Sequence, residues 1–393
     1  MLRYLAQQHQ VTLLAFTRSD DTPDAIEHLR DFCQDVITIP MRRSLAKDAM
    51  TLVKSFAAGD PVTIRRDSVP QMVRKVDELI QMGKFDAIHA DQLYMAQYAQ
   101  QARRVDAKTG GGRSQLVLDE HNAYFQIFQR LASGERNPVK RLVFEREWRA
   151  LKRYEARLCT QFDHLVTVTP EDREILRTLM DGGRSEKAAQ MPIVTIPICV
   201  DTQGVRPVAG RPGLKDVLHL GTMFWPPNIE GVLWFAQQVW PLVRTRLPEA
   251  TFTIAGKNPP PEVKALEGSK DKGSDTGVRV LGYVSDPAPV LDGAGAFIVP
   301  LLSGGGMRVK IVDAWRWGLP VISTRIGAEG IEYKEGENVL IADQPADFAD
   351  AVVKVLNEAG LAQQLRENGR RWVETHYEWR TIYREWDSVY PAN

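Results

Sequence analysis

The segment Phe297 to Thr324, FIVPLLSGGGMRVKIVDAWRWGLPVIST, constrains what this chain can fold into more than any other. An apolar run ends at Pro300, three glycines follow at Gly304 to Gly306, and Gly318-Leu-Pro320 precedes a second apolar run. This order predicts a strand, a glycine loop, a helix and another strand. The segment is therefore a unit of an α/β fold with a parallel sheet.

The glycine loop and the helix behind it suit a phosphate ligand. Glycines let backbone N–H groups approach a ligand closely, and a helix start carries partial positive charge. Lys310 and Asp313 are three residues apart, so a cation and a carboxylate share one helical face and can both reach a diphosphate with a nearby sugar hydroxyl. Taken alone, the segment fits equally well a buried βαβ unit whose glycines only turn the chain.

Composition narrows the class of protein. A chain of 393 residues suits two domains, and 50 basic against 50 acidic residues leave no net charge for binding nucleic acid through bulk electrostatics. The apolar runs are far shorter than the roughly twenty residues that span a bilayer, and no signal peptide is recognised, so we expect a cytoplasmic protein. The three cysteines show no paired metal spacing and are expected in the core.

A basic segment near the start, Met41 to Phe56, alternates cationic and apolar residues. Two interpretations are open. The segment is an interfacial helix that meets anionic lipid at the inner face of a membrane, or it is a solvated helix packed by its apolar stripe.

His121 is a candidate site residue. The apolar strand Gln115 to Leu118 ends in Asp119-Glu120-His121-Asn122, and open parallel sheets bind ligands at the carboxyl ends of their strands. The alternative is a histidine that only satisfies a loop.

The chain divides into two similar α/β halves. The region after Val200 is rich in glycine and proline with little periodicity, which is typical of a linker. We therefore expect a first domain over 1–200, a linker over 201–215 and a second domain over 216–370. An aromatic C-terminal helical segment, 371–393, is expected to pack back toward the first domain.

An ordered series of motifs resembles the retaining nucleotide-sugar glycosyltransferases of the GT-B fold, in the large family four. The first half contributes DAIHADQLYMAQYA, LVLDEHN, an Arg/Glu-rich helix and HLVTVTPEDREIL, and the second contributes LGTMFWPPNIEGVLWF, AGKNPPPEV, VRVLGYVSD, the glycine segment and IGAEG. The resemblance implies two Rossmann-like domains whose parallel sheets face each other across a cleft. The resemblance begins only inside the first helix. We therefore expect the first domain to lack its opening strand, and about 20 to 30 further residues to be encoded upstream of Met1.

The resemblance also implies roles for individual residues. Asp313 stands where a motif glutamate binds the ribose, whereas the preceding motif glutamate is replaced by Gly305. His121 matches a histidine near the reacting sugar. The family's Arg and Lys pair after the first strand of the second domain is absent, and Arg308 and Lys310, with Lys257, resemble replacements. The other donor-binding positions implied are Gly221, Thr222, Gly282, Tyr283, Val284, Gly304, Gly306 and Met307.

The implied reaction moves a sugar from a nucleotide diphosphate donor to a glycan or lipid-linked acceptor, with retention, in bacterial cell-surface or exopolysaccharide synthesis. His121, Arg308 and Lys310 are the expected catalytic residues. The resemblance places His121 near the reacting sugar, and fixed cations such as Arg308 and Lys310 stabilise the negative charge that grows on the leaving diphosphate. The chain contains no Asp-x-Asp pair, so we expect neither a metal nor another cofactor.

Two other functions are open. One is a nucleotide-sugar epimerase of the same fold, which would release an isomeric nucleotide-sugar. The other is a catalytically silent GT-B protein that binds nucleotide without turning it over, a reading favoured by Gly305.

Overall fold

The computed structural model describes residues 1–18, 21–41, 43–83, 85–110, 114–181, 191–211, 213–268 and 275–391. Arg42 of the basic segment lies outside these ranges. The chain forms two compact units: Met1–Pro197 together with Tyr383–Asn393, and Ile198–Ile382. The expected linker, 201–215, belongs to the second unit, as does the part of the expected C-terminal segment that precedes Tyr383.

The second unit is built on a six-stranded parallel sheet. Its strand order is β12-β11-β10-β7-β8-β9. The first strand of this unit, β7, is therefore central, with β8 and β9 on one side of it and β10, β11 and β12 on the other. Both faces are covered, which explains why its central strands read as continuous apolar runs. The strands are β7 (Asp216–Leu220), β8 (Thr251–Ala255), β9 (Val278–Gly282), β10 (Ala294–Val299), β11 (Val321–Ser323) and β12 (Leu340–Ile341).

The first unit contains two parallel sheets. Strands β3, β4, β5 and β6 pair in chain order, and β1 pairs with β2 in a separate two-stranded sheet. Apolar side chains from both sheets, among them Phe16 and Ile88, pack on one cluster centred on Met72 and Tyr98. The strands are β1 (Thr12–Thr17), β2 (Asp35–Pro40), β3 (Ala87–Asp91), β4 (Gln115–Glu120), β5 (His164–Thr167) and β6 (Ile193–Thr195).

Helices connect the strands in both units, as the α/β prediction requires. The longer helices of the first unit are Pro23–Arg30, Leu45–Ala58, Pro70–Met82, Ala96–Thr109, Tyr124–Gly134, Pro138–Cys159 and Pro170–Asp181. Those of the second unit are Pro226–Trp234, Trp240–Arg246, Val309–Arg316, Pro345–Asn357 and Ala359–His376. No helix in the described ranges is long and apolar enough to cross a membrane. The predicted α/β class with two Rossmann-like domains and parallel sheets is confirmed.

The aromatic residues from Tyr383 onward belong to the first unit and pack on it. Tyr390 lies with its hydroxyl 2.8 Å from Nδ1 of His89, and Tyr4 donates a hydrogen bond of 2.9 Å to Asp387. Cys33 and Cys159 are buried, as expected of core residues, whereas Cys199 is half-buried.

Candidate functional site

The glycine loop adopts backbone conformations that glycine alone reaches without strain. Gly304 has φ of 115° and Gly306 has φ of 74°, and the helix Val309–Arg316 begins three residues later. The Arg308 guanidinium is buried, at 8% exposure, and donates to the carbonyl oxygens of Gly305 at 2.6 Å and Ile326 at 3.2 Å. Arg308 therefore holds the loop against the segment that follows β11.

Lys310 lies in a polar cluster formed by its own helix, the start of the helix Pro226–Trp234 and the end of β7. Its Nζ donates a hydrogen bond of 2.7 Å to Oδ1 of Asn228, at the start of the helix Pro226–Trp234. A Cβ added at Gly221 would lie 3.0 Å from Nζ of Lys310 and 3.2 Å from Nε2 of His219. Burial, helped by the charge of Arg308, lowers the pKa of Lys310 to about 7. The amino group is thus held among uncharged partners beside the end of β7.

His219 faces this group as a neutral ring. Its Nδ1–H donates to the carbonyl oxygen of Ile298 at 3.1 Å, and burial together with the charge of Lys310 lowers its pKa to about 3. Its Nε2 is buried and makes no hydrogen bond within the described part of the chain. The Nε2 atom can only accept a hydrogen bond and so suits a donor such as a ligand hydroxyl, whereas the neighbouring lysine suits an anion.

The ends of three neighbouring strands are joined by backbone hydrogen bonds. The N–H of Gly221 donates to Ala255 at 3.0 Å, and the N–H of Gly256 donates to Gly282 at 2.7 Å. The backbone carbonyl oxygen of Thr222 accepts a hydrogen bond of 2.8 Å from Nδ2 of Asn228, and that of Lys257 accepts one of 2.9 Å from the N–H of Met223. Gly221, Thr222, Lys257 and Gly282 are therefore brought together at the carboxyl edge of the sheet. After Gly282, Tyr283 is exposed and Val284 is partly buried.

Asp313 is one helical turn beyond Lys310. Its Oδ1 accepts from Nη2 of Arg316 at 2.8 Å, and burial raises the pKa of its carboxyl against the opposing charge of Arg316. Met307 is partly buried against the second unit's core. The glycine loop is also linked to the helix Pro226–Trp234, because the Ser303 hydroxyl donates a hydrogen bond of 2.7 Å to the Glu230 carboxylate.

His121 lies in the first unit, in a network at the ends of β3 and β4. Its Nε2 is 2.9 Å from Oδ1 of Asp91 and 3.7 Å from Oδ2 of Asp119, and its Nδ1 is 3.3 Å from the side-chain nitrogen of Gln92. Burial alone would lower the pKa of His121, but the carboxylates of Asp119 and Asp91 raise it to about 10. The two carboxylates therefore favour the protonated form of the ring.

His89, Asp91 and Asp119 could together hold a metal ion. Each offers one ligand atom, and these atoms lie within 4.8 Å of one another. Nε2 of His89 has no hydrogen-bond partner within the described ranges, and Tyr390 contacts the other ring nitrogen.

Sequence reasoning missed His219, Asn228, Asp91 and Gln92. His219 carried the clearest signal, as a polar residue between two leucines in the strand Asp216–Leu220 that leads into Gly221. Asn228 follows two prolines at a helix start, and Asp91 ends a strand as Glu120 does.

Two family models match the chain and together span nearly all of it. The model described as "Glycosyltransferase Family 4" matches residues 1–203, and the model described as "Glycosyl transferases group 1" matches residues 214–358. The chain belongs to the glycosyltransferases that these models describe. It is therefore an enzyme that transfers sugars.

Known relatives agree with this family. A protein of Klebsiella pneumoniae, described as an uncharacterized 44.6 kDa protein in the cps region, is 21% identical over 390 residues, which cover 98% of this chain and 91% of the relative. The capsular polysaccharide biosynthesis glycosyltransferase CapM of Staphylococcus aureus is 28% identical over 116 residues, 29% of this chain and 30% of that protein.

Solved structures share the fold. Sucrose-phosphate synthase of Thermosynechococcus elongatus has a TM-score of 0.66 at 17% identity, covering 96% of this chain and 88% of that one. Anabaena HepE, solved in complex with UDP and glucose, has a TM-score of 0.63 at 13% identity, covering 98% and 100%. TarM has a TM-score of 0.59 at 15% identity; the match covers 81% of this chain but only 57% of TarM. These neighbours establish the GT-B type of fold.

Proposed function

We propose that this glycosyltransferase moves a sugar from a nucleotide diphosphate-sugar to a glycan or lipid-linked acceptor, with retention of configuration, in bacterial cell-surface polysaccharide synthesis. The observation that carries the donor class is the position of Lys310, whose Nζ lies beside Gly221 and hydrogen-bonds Asn228. The relatives support the pathway class, since one is a capsular glycosyltransferase by name and the other belongs to a cps region.

Two sources of positive charge near the glycine loop and β7 support a diphosphate donor. The helix Val309–Arg316, whose start carries partial positive charge, follows the glycine loop, and the amino group of Lys310 lies beside Gly221. As the glycosyl-phosphate bond breaks, charge grows on the phosphate oxygens, and these fixed donors stabilise the transition state more than the bound substrate. We propose that they perform this task without a divalent metal, with Asp313 accepting hydrogen bonds from the ribose.

A donor panel tests the proposal. We expect UDP, GDP or ADP and one of their sugars to raise the melting temperature, with UDP the first to try because HepE was solved with it. Adding glycan or lipid-linked acceptors should then release free nucleotide, and the anomeric coupling in the product reports retention. Lys310→Met serves as the inactive control. An isomeric nucleotide-sugar formed without acceptor would identify an epimerase, and binding without turnover would identify a silent protein.

We also propose that the first unit touches an anionic membrane surface. Met50, Val53 and Phe56 on the helix Leu45–Ala58 are 57%, 69% and 48% exposed. Val139 and Leu142 on the helix Pro138–Cys159 are each 70% exposed.

These two helices adjoin one another. The Arg146 guanidinium lies 4.5 Å from the centre of the Phe56 ring and donates to the carbonyl oxygen of Ser55. Lys54, Lys140 and Arg141 are exposed around the apolar side chains. An apolar surface rimmed by cations suits anionic lipid headgroups, and the attraction falls with added salt.

Vesicle co-sedimentation distinguishes this surface from a solvated one. The protein should bind phosphatidylcholine vesicles only when phosphatidylglycerol is included, and the double variant Val53→Glu, Leu142→Glu should lose that binding. Met82→Glu, a change at an exposed apolar residue on another helix, is the matched control. Equal binding by the double variant and the control would refute the membrane contact.

A further inference from the structure

A cavity of about 370 Å³ lies within the second unit, away from the glycine loop. Gly318 lines it and follows the helix Val309–Arg316, whereas the glycine loop precedes that helix. The rest of the lining comes from the segment 207–209 and from one face of the helix Ala359–His376. The cavity is therefore distinct from the residues assigned to the donor, and its volume lies within the range of small-molecule sites.

That helix face carries three arginines. The lining residues Gln363, Arg366, Glu367, Arg370 and Arg371 follow the spacing i, i+3, i+4, i+7 and i+8 of a single helical face. Glu367 is the one acidic residue among them, and its carboxylate accepts a hydrogen bond of 2.6 Å from the Gln363 side chain. The face therefore presents more positive than negative charge to the cavity.

Arg366 is a buried cation of this lining. The residue is 8% exposed, and its guanidinium donates to the carbonyl oxygens of Gly318 at 3.1 Å and Ala294 at 3.2 Å. Within the described ranges no carboxylate lies at ion-pairing distance from it. Burial lowers its pKa and the charge of Asp292 opposes this, but Asp292 pairs directly with Arg211 at 3.1 Å. A buried charge without a close counter-charge is costly, so an anion that reaches the guanidinium stabilises the folded protein.

The other two arginines differ in their contacts. Arg370 is engaged by the protein itself, since it donates to the carbonyl oxygen of Thr202 at 2.6 Å and pairs with Glu374 at 2.5 Å. Arg371 is exposed, and its Nη2 donates to Oδ1 of Asn368 at 2.5 Å. No ion pair joins Arg371 to a carboxylate of the residues that the structure describes. Arg371, like the buried arginine, therefore offers a charge that no close carboxylate balances.

We propose that this cavity binds a small phosphate ester, with the phosphate on Arg366 and Arg371 and the organic part against the segment 207–209. A guanidinium presents a planar fork of N–H donors that matches the oxygens of a phosphate group. Pro207, Val208 and Ala209 carry no charge and offer carbon atoms, so they suit an apolar organic group. A free phosphate ion is small for a cavity of this volume. The site does not depend on the proposed donor or reaction.

The alternative is that the arginines only secure the end of the helix Val309–Arg316. Arg366 and Arg370 donate to the carbonyl oxygens of Gly318 and Arg316, at the end where cations favour a helix. In the described part of the chain, Arg371 makes no such bond. Arg371 is therefore the residue at which the two interpretations differ.

Calorimetry with phenyl phosphate tests the site. We expect one equivalent to bind, and Arg371→Gln to lower the affinity at least about tenfold, the loss expected for one charge-assisted hydrogen bond. Arg371→Lys should keep part of the affinity, because it retains the charge but not the planar fork. Arg246→Gln, at an exposed arginine on another helix of the same unit, is the matched control. All three variants should melt as the wild type does without ligand. Equal binding by Arg371→Gln and Arg246→Gln would overturn the proposal.

Two further variants locate the bound phosphate. Ala209→Glu adds a negative charge at an exposed position of the lining, so it should weaken binding. Lys310→Met should leave phenyl phosphate binding unchanged, because Lys310 lies beside Gly221 and does not line the cavity. The opposite pattern, with binding lost in Lys310→Met and retained in Ala209→Glu, would assign the ligand to the glycine loop and refute the cavity site.

Inorganic phosphate and phenol separate the two parts of the ligand. Phenyl phosphate should bind more tightly than inorganic phosphate, because only the ester reaches the apolar segment 207–209. Phenol, which lacks the anion, should not bind measurably. Equal affinities for phenyl phosphate and inorganic phosphate would refute the organic part of the proposal, and binding of phenol as tight as that of the ester would refute the role of the arginines.

Discussion

Nζ of Lys310 lies 2.7 Å from Oδ1 of Asn228, across a gap of 82 residues in the sequence. The contact exists because β10 pairs with β7, which sets the glycine loop after β10 beside the loop after β7. Asn228 is a neutral acceptor and leaves the lysine charge uncompensated by this contact. We infer that an anionic ligand compensates the lysine charge when it binds.

Replacing Lys310 by Met should reduce kcat much more than it weakens nucleotide binding. The lysine charge interacts most strongly when phosphate charge is fully developed, and losing one such donor lowers kcat by roughly 10² to 10³-fold. Steady-state kinetics and calorimetry with the nucleotide alone measure the two effects. Lys354→Met, a change at an exposed lysine of the same unit, should leave both unchanged. A higher KM with unaltered kcat would assign Lys310 to ground-state binding.

Nucleotide diphosphate binding should take up protons at alkaline pH. The free protein has a Lys310 pKa of about 7, so the amino group is mostly neutral at pH 8. An incoming diphosphate favours the protonated form and raises that pKa, which draws a proton from the buffer. Calorimetry in two buffers with different ionisation enthalpies measures the uptake. Lys310→Met should abolish it, and equal uptake in the variant would place the proton elsewhere.

Asp313→Asn should weaken nucleotide binding with little change in kcat at saturating donor. A charge-assisted hydrogen bond to the ribose contributes roughly 1.5 to 3 kcal/mol, which corresponds to about a 10- to 150-fold change in Kd. Because the ribose contact is the same in the ground and transition states, the loss appears in binding. Asp350→Asn, at an exposed position on another helix, is the control. A variant that binds normally but turns over slowly would contradict the ribose role.

The sequence predicted the parts of the site that depend on local pattern. The glycine loop with its helix can be recognised because glycines follow an apolar run, and the strand that ends before His121 can be recognised because polar residues follow one. The network of Gln92 with His121 could not be predicted in this way, because it depends on the register that sets Asp91 beside Asp119. Asn228 could not be predicted either, because the order of the strands in the sheet determines that Lys310 is its partner.

The buried acid Glu120 should destabilise the fold above acidic pH. Burial, and then the charge of Glu155, raises the pKa of Glu120 above its ordinary value of 4.5. The unfolded chain loses that proton near 4.5 while the native state retains it, so stability falls as pH rises past this value. Glu120→Gln should therefore melt at a higher temperature than the wild type at pH 7 and show no advantage at pH 4. An advantage of equal size at both values would point to packing instead of ionisation.

The final prediction concerns the contact between the loops after β7 and β8. A Cβ at Gly256 would lie 1.7 Å from the carbonyl oxygen of Gly221, which is backbone and cannot move aside without shifting a strand end. Gly256→Ala should therefore lower the free energy of unfolding by at least the roughly 1 to 3 kcal/mol typical of overpacking. It should also weaken nucleotide binding, because Gly221 lies beside Lys310. Denaturant melts and nucleotide calorimetry measure both effects.

The same substitution at Gly360 is a matched control of opposite sign. Gly360 lies in the helix Ala359–His376, and beyond its chain neighbours and the backbone of its own helix no described atom lies within 4 Å of where its Cβ would be. Alanine restricts the unfolded chain and favours the helix, so Gly360→Ala should raise stability by roughly 0.5 to 1 kcal/mol and leave nucleotide binding unchanged. If Gly256→Ala instead left stability and nucleotide binding unchanged, the strand ends would have room to separate. The close approach of Gly221 and Gly256 would then not be what holds the loops after β7 and β8 in place.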